Sequence, residues 1–444
     1  MAGQSGVAVE SPRNVDEKAD SSGIQLEKES PEPILASKEH DAEKAAPDDP
    51  DPAQTKAPDG GTVAWLVVLG CWCTSFCSFG WLNSVGVFQE YYQNDLLTEY
   101  STSAVSWIPS LEIFFMLAMG PIVGVLYDRY GPQWLLRAGS VLHVFGIMMT
   151  RICSALGVSM IFQPSLTCAA GWFDRNRGAA FGILFTGSSI GGVVLPILVT
   201  HLIRTTGFGW AMRTVGFLLL LLLILANLTV RPLHPPRPRK VTRAELARPL
   251  KEPPFVLLTI GLFIFTYGFY APINYLPAQA IDSGMDSDLA SYLLPILNAG
   301  SLFGRLSAGF AGDKLGRYNV FIIVCYLSGI FTLALWLPSS PSPTASLIAF
   351  SVLFGFFSGA YVSLLTPLVM QISPMSELGF RTGILFLATA IGGLTTNPIN
   401  GAIVDGSGGW DGLKIFSGLM ALLGTSFVLV ARIRGTGWKV WVRY

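Results

Sequence analysis

From residue 59 onward the chain alternates long apolar runs with short polar turns. A membrane span needs ~20 helical residues to cross ~30 Å of hydrocarbon. On that measure the pattern predicts twelve helices. They cover Val63–Phe88, Ala104–Tyr127, Gln133–Thr150, Ile152–Phe173, Gly178–Ile203, Ala211–Val230, Phe255–Ala280, Leu289–Gly312, Val320–Leu337, Ala345–Ile372, Arg381–Val404 and Gly412–Ala431. Residues 1–58 read differently. They are rich in Glu, Asp, Lys, Ser, Ala and Pro and contain no aromatic residue. Such a segment cannot bury enough surface to fold, so a disordered tail is expected. No apolar signal-peptide core lies near the start. The expected organisation is a tail over 1–58, a six-helix bundle over 59–230, a basic linker over 231–254, a second six-helix bundle over 255–431 and a tail over 432–444.

The pattern also repeats. Ser301–Arg317 reads SLFGRLSAGFAGDKLGR, and Gly120–Gly131 reads GPIVGVLYDRYG. In both, an apolar run reaches a Gly-x-x-x-Asp-basic-x-Gly turn, and a new apolar run follows. Gly182-Ile-Leu-Phe185 returns as Gly383-Ile-Leu-Phe386, and Ile190-Gly-Gly192 as Ile391-Gly-Gly393, both 201 residues later. The Asp128 and Asp313 turns are 185 apart. Two offsets in one duplication mean that the first half has lost 16 residues, before Pro164. Spans three and four then share the 41 residues Gln133–Phe173, which predicts two short helices and a minimal turn near Thr150, with Arg151 reaching toward water.

Composition places this pattern in a membrane. The chain is 51% hydrophobic and 13% charged, with mean hydropathy +0.51, too apolar for a soluble protein of this length. Net charge is zero, but residues 1–58 hold 13 acids and 6 bases, and the remainder 16 acids and 23 bases. Arg231–Pro254 carries seven Lys/Arg against two Glu, whereas Gln89–Ser103 carries Glu90, Asp95 and Glu99, and Ile281–Asp288 three Asp. Positive-inside then puts both termini and the linker in the cytosol, with the plasma membrane as the expected location.

Several side chains could carry chemistry. Asp128 and Asp313 end helices, where a carboxylate can meet a neighbouring helix N-terminus or an arginine. Such contacts break and re-form, which suits a gate; Arg129 and Arg317 complete the two turns. Arg305 is a charge within a span, eight residues or ~12 Å before Asp313. Buried charges usually face a cavity, and a guanidinium can clasp a carboxylate with two bonds. Asn298 and Ser301 share its helix, and Asn83 is a polar position of the first span; with Arg305 they form the candidate cargo site. The alternative for Arg305 is a structural partner near the gate. Glu112 lies sixteen residues before Asp128, ~24 Å toward the outer face, where it is either a proton carrier or a watered rim residue. Cys71, Cys73 and Cys77 lack a His, Asp or Glu partner and read as packed side chains, and His143 as a satisfied packing residue. Pro196, Pro295, Pro367 and Pro398 are expected to bend helices. Asn227-Leu-Thr229 matches a glycosylation acceptor but sits at the inner end of a span. No phosphate-binding loop, metal-ligand cluster or Ser/His/Asp set is legible, so neither an enzyme nor a cofactor is expected.

The duplicated junction resembles the signature loop of the major facilitator superfamily, over residues 59–444. Asp59-Gly60-Gly61-Thr62-Val63-Ala64-Trp65 resembles the opening of the first helix in its monocarboxylate porter family. Trp172-Phe173-Asp174-Arg175-Asn176-Arg177-Gly178, running on to Gly187, resembles that family's second signature. Asn83-Ser84-x-Gly86-Val87-Phe88-Gln89-x-Tyr91-Tyr92 is similar to its fungal branch. The resemblance implies an all-α membrane protein with two pseudo-symmetric six-helix bundles, and a carboxylate-binding role for Arg305. Where animal members carry an aspartate one turn before that arginine, this chain has Ser301; where they carry a first-helix lysine, it has Asn83. The expectation is gradient-driven transport of a small organic anion or carboxylate-bearing metabolite, with efflux of a fungal secondary metabolite ahead of proton-coupled monocarboxylate uptake. A non-transporting membrane sensor ranks last. The partners implied are the bilayer, the cargo and protons as coupling ion, with no nucleic acid.

Overall fold

The computed structural model describes residues 57–84, 99, 102–148, 151–233, 247–338, 343–374 and 377–437. The expectations for the tail over 1–56, for Glu90, Asp95, Tyr91 and Tyr92, for the linker residues 234–246, for the Arg151 side chain and for the end of the chain lie outside the described residues.

Apolar length dictates helices here, because in lipid every backbone N–H and C=O must bond within its own segment. Among the described residues fourteen α-helices follow one another: α1 Thr62–Ser75, α2 Thr102–Ala118, α3 Gly120–Tyr130, α4 Pro132–Met148, α5 Arg151–Trp172, α6 Arg177–Thr206 and α7 Phe208–Thr229, then α8 Pro253–Asp282, α9 Ser287–Ser291, α10 Leu293–Leu315, α11 Arg317–Phe331, α12 Pro343–Gln371, α13 Leu378–Asp405 and α14 Gly409–Thr436. Helix α1 runs on through a π-turn at Phe76–Gly80, and α11 through another at Thr332–Trp336. Each of the twelve expected spans coincides with a helical segment, α2 and α3 forming the second between them. Nine spans among the described residues are long and apolar enough to cross a bilayer by length and composition alone.

The saving of residues before Pro164 falls on α4, whose 17 residues rise only ~26 Å. Helix α5 reaches full length, 22 residues, because it begins at Arg151 and leaves only Met149 and Thr150 between the two. Pro164, Pro196, Pro367 and Pro398 lie inside helices. Pro295 is the third residue of α10, four residues past Ser291 at the end of α9, so the N–H it lacks falls at the break between the two helices.

Side chains sort by what they face. Large apolar residues such as Trp134, Val141, Leu221, Leu228 and Phe303 are exposed, as lipid-facing positions should be. Between helices, glycine replaces bulk, because lipid supplies no hydrophobic drive for association and close backbone packing must do so instead. The first six spans meet the last six chiefly through α6 with α10 and through α3 and α2 with α13.

One ionic cluster fastens the linker's end. Arg381 of α13 is fully buried; its Nη1 and Nη2 donate to Glu252 at 2.6 and 2.8 Å, and its Nε and Nη2 donate to Glu377 at 3.0 and 2.9 Å. Arg248 approaches both carboxylates. Glu252 is the N-cap residue of α8, so the clasp ties the start of α8 to the start of α13. Hydrogen bonds from Arg381 hold the Glu252 carboxyl below the usual range. A depressed carboxyl stabilises the folded state above its unfolded pKa and loses that contribution as pH falls through the folded value. Acidification below the ordinary glutamate range should therefore lower the thermal midpoint, and Glu252→Gln should flatten that dependence, checked by fluorescence melting of detergent-solubilised protein. Arg381→Ala leaves the two carboxylates to the exposed Arg248 alone and should lower the thermal midpoint in the same assay.

Candidate functional site at the two helix seams

The seams begin with an unmet requirement. A helix leaves its first N–H groups without internal partners, and in a membrane protein these need an acceptor. At α6 the acceptor comes from α10: Asp313 takes the N–H of Gly178 and of Ala179, each at 2.8 Å. At α13 it comes from α3: Asp128 takes the N–H of Phe380 at 3.1 Å. Each junction aspartate thus caps a helix of the opposite half. The partial positive charge of the helix end adds to the attraction.

The two caps are not equally reinforced. Arg317 donates to Asp313 through Nε and Nη2, at 3.1 and 2.9 Å, and its Nη2 also reaches the carbonyl of Asp174 at 2.8 Å. The position 185 residues earlier is Pro132, which offers no donor. On that side Gln163 of α5 donates instead to the carbonyl of Gly379 at 2.9 Å. Arg129 stands outside the cap. It is exposed and lies over the Tyr130 ring, because it follows Asp128 directly and points away from the seam.

Behind the caps the backbones touch. A Cβ built on Gly120 would stand 2.9 Å from the carbonyl oxygen of Gly383, and one on Gly182 would stand 2.7 Å from that of Arg305. Real Cβ atoms essentially never come so close. The seam pairs obey the offsets of the sequence: 120, 124 and 128 map to 305, 309 and 313, and 178 and 182 map to 379 and 383. One member breaks the symmetry. Gly120 has Arg305 as its counterpart.

Arg305 is buried, and its Nη1 donates to the carbonyl of Phe185 at 2.5 Å and to the Ser188 hydroxyl, both on α6. Its Nε is buried without a hydrogen-bond partner. Ser301, one turn on, shares a 2.8 Å hydrogen bond with Ser189. Asn298, one turn further, donates to Asn83 at 3.4 Å and to the carbonyl of Leu294 at 3.1 Å. Asp313, Arg305, Ser301 and Asn298 therefore form one stripe of α10 facing α6 and the end of α1. Glu112 is not part of it. It is buried in α2, which packs on α13 and α5 along the other seam.

Other candidates resolve as packing. His143 meets the carbonyl of Cys77 through Nε2 at 3.0 Å. A carbonyl only accepts, so Nε2 carries the proton and Nδ1 accepts from Ser154 at 3.0 Å. The thiols of Cys71 and Cys77 diverge toward the carbonyls of Ser165 and Leu219. Asn227 donates to Ser140 and to the Leu223 carbonyl.

Sequence reading missed a contact between its own motifs. Asp59 takes the N–H groups of Asp174, Arg175 and Asn176 on one oxygen, at 2.7, 2.8 and 3.3 Å, while its own N–H meets the carbonyl of Trp172. Its φ of 53° is the left-handed region, and Gly61 follows at 92°. Trp65 packs edge-on against Phe173. The first motif is thus a cap for the second.

Comparison with known proteins identifies the class. The sequence profile of the Major Facilitator Superfamily matches residues 68–346 and 280–440, and the chain belongs to that family. It is 54% identical to the MFS transporter asaE of Aspergillus flavus, over 87% of this chain and 90% of that one. It is 48% identical to the Fujikurins efflux protein of Gibberella fujikuroi, over 91% and 88%, and 35% identical to the Aspyridones efflux protein apdF of Emericella nidulans, over 84% and 78%. Among solved structures it resembles the transporter FucP in the outward conformation, with a TM-score of 0.67 at 13% identity, over 82% of this chain and 98% of that one. The fold is therefore that of a major facilitator transporter.

Losing one cap costs about 0.5–2 kcal/mol. Asp128→Ala should thus shift the joined seam toward separation by up to roughly thirtyfold. Asp313→Ala should shift it further, because Arg317 is left without its carboxylate. Spin-label distances between the α3–α4 turn and the start of α13, or the α10–α11 turn and the start of α6, read this directly. Unchanged distance distributions in both variants would reduce the caps to ordinary turns.

Proposed function

We propose that this protein exports a carboxylate-bearing, partly apolar secondary metabolite across the plasma membrane by alternating access, with Arg305 as the cargo-binding cation. The observation that carries the reading is the guanidinium itself: a buried charge, at a position that is glycine in the other half, with Nε unpartnered. A charge held at that cost usually serves substrate. Export, as against uptake, is supported by relatives such as the Fujikurins and Aspyridones efflux proteins. The monocarboxylate porter assignment is supported by the Asp59 cap, which joins the two segments that carry the resemblance.

In this reading the end bearing Asp128 and Asp313 faces the cytosol, as the basic linker requires, and both termini lie on that side. The caps then close the cytosolic entrance. A cargo carboxylate reaching Arg305 competes with the Phe185 carbonyl and the Ser188 hydroxyl for the same guanidinium. A charged acceptor outcompetes a neutral one, so binding loosens the α6–α10 seam at the depth where the cargo sits. Asn83, Asn298 and Ser301 supply neutral hydrogen bonds to the rest of the molecule. Asp128, Asp313 and Arg317 do the gating, and Arg129 contributes only surface charge.

Proton-coupled uptake is the second reading, and the burial of Glu112 is what favours it.

Arg305→Lys retains charge but not the planar fork and should weaken cargo binding by at least tenfold, about 1.4 kcal/mol. Binding of carboxylate-bearing metabolites to purified protein checks this. Unaltered affinity would return Arg305 to a structural role. Glu112→Gln should abolish pH dependence of transport in proteoliposomes if this carboxylate carries the coupling proton; an unchanged profile assigns coupling elsewhere.

A further inference from the structure

The repeated Gly-Ile-Leu-Phe segment does more than pack glycine. Phe185 and Phe386 follow Gly182 and Gly383 by three residues, and each lies eight residues into its helix, ~12 Å from the capped end. They are the first large side chains behind the glycine contacts of their seams. Phe162 of α5 lies ten residues from Trp172, the end of its helix, ~15 Å deep and so at about the same level.

These three rings meet. Phe162 and Phe185 have centroids 6.1 Å apart, and Phe162 and Phe386 have centroids 6.0 Å apart. All three side chains are buried, at 3%, 2% and 7% exposure. Phe386 also packs at the Gly120 contact, its Cβ 3.3 Å from where a Gly120 Cβ would stand. The Phe162–Phe386 pair crosses from one half to the other. Phe79 touches Phe162 at 4.9 Å, but both belong to the first half. The counterpart of Phe162, 203 residues on by the offset of Pro164 to Pro367, is Leu365. The Phe162 ring therefore has no aromatic counterpart in the second half.

We propose that Phe162, Phe185 and Phe386 form the permeation barrier behind the two caps, a ring plug that excludes water and ions and that cargo must part. The layers along the seams differ in what they can seal. The aspartate caps are polar and partly solvated, and the glycine contacts join helices only in pairs. The rings bridge three helices of both halves at one depth, and their faces can stack on an apolar cargo as it passes. The proposal does not depend on Arg305 being the cargo site.

The test uses the full chain in sealed vesicles, with Asn83→Cys as a reporter beyond the plug. A small, membrane-impermeant thiosulfonate is applied to the face that bears Asp128 and Asp313, and protein without the reporter corrects for native cysteines. Phe162→Ala and Phe386→Ala should each open a space large enough for water and speed labelling by about tenfold or more. Phe79→Ala should leave the rate at that of the parent. Phe162→Leu, which keeps most of the volume, should stay near the parent. Because Phe162 and Phe386 stand on different helices of different halves, either alanine variant decides the matter if the other does not fold. Parental rates in the alanine variants that fold would overturn the proposal, and so would equal acceleration by Phe79→Ala, which would signify general loosening.

Discussion

Everything at the joined end of this transporter depends on the unsatisfied N–H groups at the starts of α6 and α13. Lipid offers them no partner, and their own helices cannot. The acceptors arrive from the other half of the molecule, one aspartate to each. That arrangement is strong because a carboxylate meets aligned peptide dipoles, and reversible because no covalent or deeply interlocked contact is involved. Glycine-to-glycine packing behind the caps has the same character: it is close, but nothing interdigitates.

Reinforcement is where the halves diverge. Asp313 is gripped by Arg317, whereas Asp128 shares its helix end with Gln163 and stands near the Arg381 clasp. One seam is therefore held by a local ion pair and the other is coupled to the linker's end through Glu252. The two contacts therefore differ in what must be broken to separate them, and only the second is linked to the start of α8.

Much of this could be read from the residues alone, for identifiable reasons. Helical segments at the twelve expected positions were legible because hydrocarbon thickness demands long apolar runs. The caps at Asp128 and Asp313 were legible because duplication printed the same turn twice. Arg305 stood out as a charge in an apolar run. What escaped was any contact whose partner lies far along the chain with no periodic trace. Gln163, Ser188 and the Asp59 cap are of this kind. Arg129 misled because its place in the repeated turn matches Lys314, while the cation that grips the carboxylate is Arg317, one turn further, with no equivalent at Pro132. The residues dropped before Pro164 could be counted in advance, but not that α4 alone would be short.

The Asp59 cap also bears on how the molecule is made. Synthesis runs from the N-terminus. The three N–H groups that Asp59 holds belong to residues 115, 116 and 117 positions later. The acceptor is therefore in place before its donors exist, and it can engage only once four spans have been threaded and the turn into the fifth appears. The Phe380 N–H that Asp128 accepts comes 252 positions later. The first half thus ties its own beginning to its fifth helix while the second is still being translated, and the α3–α13 seam can close only after that.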